Sequence, residues 1–210
     1  MIDADFNVVV LADGVFPHKP KILELLTKAE KVICCDGAAG KLLHFGRTPD
    51  YVVGDLDSVS DQIKKMPDIN LIYNPDQETN DLTKAVQFCI EKGWGKIAIL
   101  GATGDREDHT FANVSLLASY QQKLEKVVMI SDFAVFIPIN QTTEFTSEIG
   151  QQVSIFSLTP DCPISVRGLK YPIKERKLLA WWEGTLNEAV GQSFIVQLHG
   201  IGSAIVYKTI

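Results

Sequence analysis

Thr79-Asn80-Asp81-Leu82-Thr83-Lys84-Ala85-Val86-Gln87-Phe88-Cys89-Ile90-Glu91-Lys92, followed after Gly93-Trp94-Gly95 by Lys96-Ile97-Ala98-Ile99-Leu100, sets the fold class. In the first part Leu82, Ala85, Val86, Cys89 and Ile90 recur at i, i+3, i+4, i+7 and i+8, the stripe of an amphipathic helix. The second part is an unbroken apolar run of strand length, as in strands buried on both faces. Working outward, similar runs stand at Asn7-Val8-Val9-Val10-Leu11, Lys31-Val32-Ile33-Cys34-Cys35, Tyr51-Val52-Val53, Asn70-Leu71-Ile72-Tyr73 and Lys126-Val127-Val128-Met129-Ile130. Runs alternating with helical stretches make a βαβ series, hence an α/β fold with a mostly parallel sheet flanked by helices.

After about Pro138 the pattern changes. Gln151 to Leu158 reads as an alternating strand, Thr159-Pro160-Asp161 and Gly168 are turn signals, and Ser193 to Leu198 and Ala204 to Tyr207 continue the series. No helical pattern is expected to the end. Residues 1–140 therefore read as an α/β domain and 141–210 as a small antiparallel β-sandwich domain.

Composition narrows the function classes. The chain has 210 residues, 46% hydrophobic and 22% charged, with 20 Lys+Arg against 26 Asp+Glu and a net charge of −6. Disorder is excluded, and a nucleic-acid partner is not expected, because no Lys/Arg run exceeds a dipeptide. No apolar run reaches the roughly 18 residues that span a bilayer, and MIDADFNVVV lacks a signal peptide's basic start. No membrane partner and a cytoplasmic location are the expectations. Cys34, Cys35, Cys89 and Cys162 form no C-x-x-C pair and read as core thiols of a reducing compartment.

The acids fall where the predicted strands end. Asp36-Gly37 ends the second, Gly54-Asp55-Leu56-Asp57-Ser58 the third, Asp76 follows the fourth, and Asp105 and Asp108 follow the fifth. Open parallel sheets bind ligands beyond the carboxyl ends of their strands, so these acids should converge on one crevice. Converging carboxylates repel unless a positive charge lies between them, and Mg²⁺ with substrate phosphates answers that need. Each Asp taken singly is also an ordinary turn or capping residue. Capping alone does not explain an Asp-x-Asp after a glycine, which makes Asp55 and Asp57 the first metal ligands to consider. Asp81, in the first helical turn, favours the helix dipole and is within reach of the same ion.

Gly101-Ala102-Thr103-Gly104-Asp105-Arg106-Glu107-Asp108-His109 lies between a predicted strand and helix. Glycines there let backbone approach a phosphate, the helix start supplies N–H donors, and Arg106 offers a bidentate fork. Neither a Walker A loop nor a G-x-G-x-x-G fingerprint is present. His109 and Asn113 share a helix face, where structural hydrogen bonding is the favoured role. Tyr171, Trp181 and Trp182 read as packing residues, with an aromatic box for a flat cationic ring as the alternative.

Together, Cys35-Asp36-Gly37-Ala38-Ala39, Gly54-Asp55-Leu56-Asp57-Ser58, Asp76-Gln77 through Asp81-Leu82 with Lys84-Ala85, and Gly101-Ala102-Thr103-Gly104-x-Arg106-x-Asp108-His109 with Ala112-Asn113 resemble the thiamine pyrophosphokinase family. Gly168-Leu169-Lys170-Tyr171 and Gly184-Thr185-x-Asn187 extend the resemblance into the second domain. It implies an ATP-binding catalytic domain, a thiamine-binding β-sandwich, and a homodimer with sites between subunits. ATP and thiamine would give AMP and thiamine diphosphate. Asp55, Asp57 and Asp81 would hold Mg²⁺ and, with Arg106 and Asp108, form the catalytic set. Asp36, Gly37, Ser58, Gln77, Gly101, Gly104 and His109 would line the nucleotide, Gln77 and Arg106 at its phosphates, while Thr185 and Asn187 would bind thiamine.

Three positions depart from the family pattern. Asn80 stands where Thr is usual, Asp105 where a second Gly is common, and Leu186 where Ser is usual. Asp105 adds negative charge near the expected triphosphate, and Leu186 removes a hydroxyl from the expected thiamine pocket. Asp81 and Asp108 are both candidates to take the thiamine hydroxyl's proton. Two rivals remain: an Mg²⁺-dependent phosphatase with a nucleophilic Asp, whose Asp-x-Asp loop usually follows the first strand, and a non-catalytic thiamine- or nucleotide-binding module.

Overall fold

The computed structural model describes residues 5–210; Met1 to Ala4, the head of the N-terminal stretch read above, lie outside the described residues. Six strands follow the apolar runs: β1 (Val8–Leu11), β2 (Lys31–Cys35), β3 (Tyr51–Gly54), β4 (Asn70–Tyr73), β5 (Lys96–Leu100) and β6 (Lys126–Ile130). They lie parallel in the order β6-β5-β1-β2-β3-β4. Helices α1 (Pro20–Lys28), α2 (Ala38–Phe45) and the short α3 (Asp61–Lys64) cover one face, and α4 (Asp81–Glu91) and α5 (Glu107–Gln121) the other. The apolar runs are continuous because both faces are covered: Val9 and Leu11 pack with Ile22 and Leu26 of α1, while Val8 and Val10 pack with Val86 of α4 and Leu117 of α5. Strand order reverses between β1 and β5, which opens a crevice at the carboxyl edge of the sheet.

The same sheet continues beyond the parallel strands. β7 (Ala134–Ile139) runs antiparallel to β6, and β14 (Ala204–Thr209), β9 (Gln152–Ser157) and β12 (Asn187–Glu188) complete ten strands. The β6 ladder ends at Phe136 and Val135, before Pro138, which has no N–H to donate. The Pro138 carbonyl instead accepts from Gln121 Nε2 at 3.0 Å. A second sheet of β8 (Thr143–Thr146), β13 (Ser193–Leu198), β10 (Ile164–Arg167) and β11 (Ile173–Arg176) packs on this extension. Val153, Ile155 and Val206 meet Val166, Phe194 and Val196 in the sandwich core.

Two tail expectations are corrected. β9 does not alternate between core and solvent: Val153 and Ile155 enter the sandwich core while Phe156 packs toward the α4/α5 layer, because the main sheet carries protein on both faces here. A 3₁₀ turn, Trp181–Gly184, also interrupts the strands. All four cysteines are free and buried. Among the described residues no helix is long and apolar enough to cross a membrane.

Candidate active site

Asp36 leaves β2 in a left-handed conformation, φ 30°, and its side chain turns under β3, where it is 4% exposed. Its Oδ1 accepts the Leu56 N–H at 3.0 Å. Leu56 is itself left-handed, φ 63°, and that bend turns Asp55 and Asp57 back toward Asp36. One carboxylate oxygen from each of Asp36, Asp55 and Asp57 lies within 4.8 Å of the others. Burial, with the charge of Asp81 adding to it, pushes the Asp36 carboxyl up to about 6 against the opposing Leu56 bond. Asp55 moves the other way, held below the usual range by Gln77 Nε2 at 3.2 Å and by the Asp57 N–H at 3.3 Å. Ser58 Oγ donates to Asp57 Oδ1 at 2.9 Å.

Asp81 enters from α4. Asn80 is the N-cap of that helix, its Oδ1 accepting the Thr83 N–H at 2.9 Å, which starts the helix at Asp81. Asn80 Nδ2 also donates to Asn113 Oδ1 at 3.2 Å, and Asn113 Nδ2 donates to the Ala102 carbonyl at 3.0 Å. Asn80 thus caps with its oxygen and donates from a separate nitrogen, tying α4 through Asn113 to the loop after β5. Asp81 pairs with Lys84 Nζ at 2.9 Å rather than joining the three-carboxylate group.

The loop after β5 is pinned to the exit of β1: Gly14 N–H donates to the Gly101 carbonyl at 2.7 Å and Val15 N–H to the Thr103 carbonyl at 3.0 Å. Gly101 has φ 64°, and a Cβ there would lie 2.5 Å from the Ala12 carbonyl oxygen, so this position requires glycine for packing as well as backbone angle. Gly104 and Asp105, φ 78° and 60°, carry the loop to α5 with the Asp105 side chain exposed. Arg106 closes its fork on Asp108, Nε to Oδ1 at 3.1 Å, and that pairing holds the Asp108 carboxyl below the usual range. Asp108 also accepts the His109 N–H at 2.9 Å, and His109 is exposed at the start of α5.

Other sequence-predicted residues serve local structure. Asp76 is engaged by Thr79 Oγ1 at 2.6 Å and the Glu78 N–H at 2.9 Å, a turn role. Gly37 stands at the N-cap of α2. In the second half Asn187 is buried, its amide exchanging hydrogen bonds with the Tyr171 N–H and carbonyl at 3.0 and 2.7 Å, while Thr185 Oγ1 donates to the Trp182 carbonyl at 2.8 Å. Among the described residues no hydrogen bond or ion pair joins either to the acids. Trp181 packs between Phe111 and Phe156, whereas Trp182 is 75% exposed and Leu186, at φ 58°, is 82% exposed.

Asp13 and Lys41, which the spacing of the acids does not single out, stand beside Gly37: a Cβ built there would lie 2.4 Å from Asp13 Oδ2. They pair at 2.9 Å where β1 ends, and Lys41 Nζ also donates to the Asp13 carbonyl at 2.8 Å. A local signal was nonetheless present, since Asp13-Gly14 follows the first strand as Asp36-Gly37 follows the second. A cavity of about 1050 Å³ lies elsewhere, lined by Pro20 and Lys21 of α1 and Phe145 of β8, and none of these acids borders it.

Residues 22–129 match the family model described as thiamin pyrophosphokinase, catalytic domain, and residues 134–207 the one described as thiamin pyrophosphokinase, substrate-binding domain. The chain belongs to the thiamin pyrophosphokinase family. It is 27% identical over 170 residues to thiamin pyrophosphokinase 1 of Caenorhabditis elegans, covering 73% of this chain and 69% of that protein. With thiamine pyrophosphokinase of Bacillus subtilis it shares 29% identity over 140 residues, covering 63% of this chain and 65% of the relative. The solved structure of the Bacillus subtilis enzyme superposes with a TM-score of 0.80 at 22% identity, covering 96% of this chain and 98% of that one. Yeast thiamin pyrophosphokinase gives 0.79 at 17%, covering 100% and 88%. These likenesses establish the family's fold here: a mixed sheet, mostly parallel among its helices, with an antiparallel sheet packed on its carboxyl-terminal part.

Proposed function

We propose that this chain transfers the pyrophosphoryl group of ATP to the hydroxyl of thiamine, giving thiamine diphosphate and AMP, with Mg²⁺ required. The observation that carries the reading is the convergence of Asp36, Asp55 and Asp57 within 4.8 Å at the carboxyl edge of a parallel sheet. An all-carboxylate set suits a hard divalent cation. Asp55 and Asp57 would hold Mg²⁺, with Asp36 completing the cluster and Asp81 close by. Bound there, the ion would neutralise phosphate oxygens as charge develops on them.

The thiamine hydroxyl oxygen attacks the β-phosphorus; the bond from that phosphorus to the α,β-bridging oxygen breaks, and AMP leaves with the electron pair. Asp81 or Asp108 takes the hydroxyl proton. Arg106 exchanges part of its pairing with Asp108 for phosphate oxygens, and the exposed N-terminal turn of α5 adds N–H donors. Gln77 orients Asp55, and Ser58, Gly101, Gly104 and His109 border the nucleotide together with Asp36 and Gly37. Residues 1–140 serve ATP and residues 141–210 serve thiamine through Thr185 and Asn187. A homodimer would bring Thr185 and Asn187 to the acids of the other subunit, which suits the finding that, among the described residues, no hydrogen bond or ion pair joins them to the acids within one chain. Four unpaired buried thiols fit a reducing cytoplasm.

The test is incubation of the purified protein with ATP, Mg²⁺ and thiamine, with and without EDTA, with the products resolved chromatographically. AMP and thiamine diphosphate in equal amounts, abolished by EDTA, are expected. ADP or free phosphate without modified thiamine would point to the phosphatase or another kinase reaction, and ligand binding without turnover to a binding module.

A further inference from the structure

Lys84 is only 5% exposed, although it lies on a helix whose other polar side chains have access to solvent. Lysine is almost never buried unless paired, because removing an ammonium from water costs several kcal/mol. Its partner is Asp81, at 2.9 Å, and the Lys84 side chain is 3% exposed against 36% for Asp81. Burial alone would lower the Lys84 pKa, yet the hydrogen bond and charge of Asp81, with Asp55 and Asp76 behind it, leave it raised. The neighbouring buried positions are Leu82, Ala85 and Val86, so methionine or leucine would fill residue 84 without any desolvation cost. An exposed pair three residues apart contributes only a few tenths of a kcal/mol, which does not account for an ammonium sealed from water.

We propose that Lys84 is a positioning residue: its buried ammonium fixes the Asp81 carboxylate and serves as a built-in counter-charge, so that the acids take one divalent cation rather than two. The inference rests on the metal reading above and concerns the charge of the site before nucleotide arrives. Asp36, Asp55, Asp57 and Asp81 would together attract more than one cation if no fixed positive charge lay among them. Held on Asp81 at 2.9 Å, the ammonium supplies a fixed positive charge that cannot diffuse away.

The test titrates wild type, Lys84→Met and Lys84→Arg with Mn²⁺ without nucleotide, following free Mn²⁺ by electron paramagnetic resonance, beside steady-state assays and circular dichroism. Wild type should take one ion. Lys84→Met should take a second, or bind the first on the order of tenfold tighter. Its kcat should fall at least about a hundredfold while the KM for thiamine stays within about threefold. Lys84→Arg should restore the one-ion behaviour and part of kcat. Wild type binding two ions or none overturns the proposal whatever the variants do. A folded Lys84→Met protein with unchanged Mn²⁺ binding, or with kcat within about threefold of wild type, overturns it as well. If wild type makes no thiamine diphosphate yet the Mn²⁺ shift appears, the assigned reaction fails while the counter-charge role stands; normal product formation without the shift is the reverse.

Discussion

The carboxylate of Asp36 fills the space that any side chain at residue 54 would need: a Cβ built on Gly54 lies 2.3 Å from Oδ1 and 2.7 Å from Cγ. The glycine before the Asp-x-Asp loop is therefore required by a neighbouring acid, and it lets β2 and β3 present three carboxylates together. Gly54→Ala should evict Asp36 from the Leu56 N–H, costing about 1–3 kcal/mol in urea unfolding and at least about tenfold in turnover. In Asp36→Ala the same Gly54→Ala change should cost much less stability. Additive losses in that double-mutant cycle would show that the two residues do not share the space.

Asp57 is exposed and contributes charge more than packing. Asp57→Asn removes one of three repelling carboxylates, so the melting temperature should stay level or rise slightly. Turnover should fall by about a hundredfold or more if the lost charge belongs to the proposed metal group. Near-normal activity in this variant would remove Asp57 from the metal set.

Asp36 gives the metal-free protein a characteristic pH response. Its carboxyl ionises near pH 6 in the folded protein and near 3.8 when unfolded. Between these values the native state holds a proton that the unfolded chain has released. This residue's contribution to stability therefore falls as pH rises from about 4 to about 6 and levels off above. Wild type should lose stability relative to Asp36→Asn across that window in urea melts run with EDTA, and a pH-independent difference would contradict the assignment.

Asn80 performs two tasks, so its replacements should be graded. Asn80→Ala loses the cap of α4 and leaves Asn113 Oδ1 without its donor, for a loss of about 1–3 kcal/mol in urea unfolding. Asn80→Thr keeps an oxygen for the Thr83 N–H and loses only the Asn113 bond, so it should cost less. Equal losses would mean that the cap contributes nothing here.

Much of this was readable from the chain because its signals are local. Lys31 to Cys35 and Lys96 to Leu100 form strands with the expected bounds, and the Leu82, Ala85, Val86, Cys89 stripe is buried as its spacing requires. The strand-end acids were legible because a parallel sheet sends its carboxyl ends to one edge. What was not legible depends on partners distant in sequence. Asp36 becomes the buried member of the three-carboxylate group only because β3 pairs beside β2, and nothing in the spacing of α4 marks Lys84 as buried rather than exposed. The double burial of β9 was hidden because Gln152 to Ser157 also fits a one-sided strand, and what covers its second face lies partly on α4 and α5. Asp13 carried the same local signal as Asp36, an acid before a glycine at a strand end, and its pairing with Lys41 of α2 depends on a partner 28 residues away.

The main sheet passes from the parallel strands into the sandwich through β7, which β14 holds along Ala134 to Ile139. The two halves consequently share a spine and lack independent edges. A fragment starting at residue 141 would lose β7 and bare the long edge of β14, with Ile205 exposed on one face, a template for pairing with other chains. Truncation between the halves should thus yield insoluble protein, and insertions belong on exposed turns such as the one at Gly150.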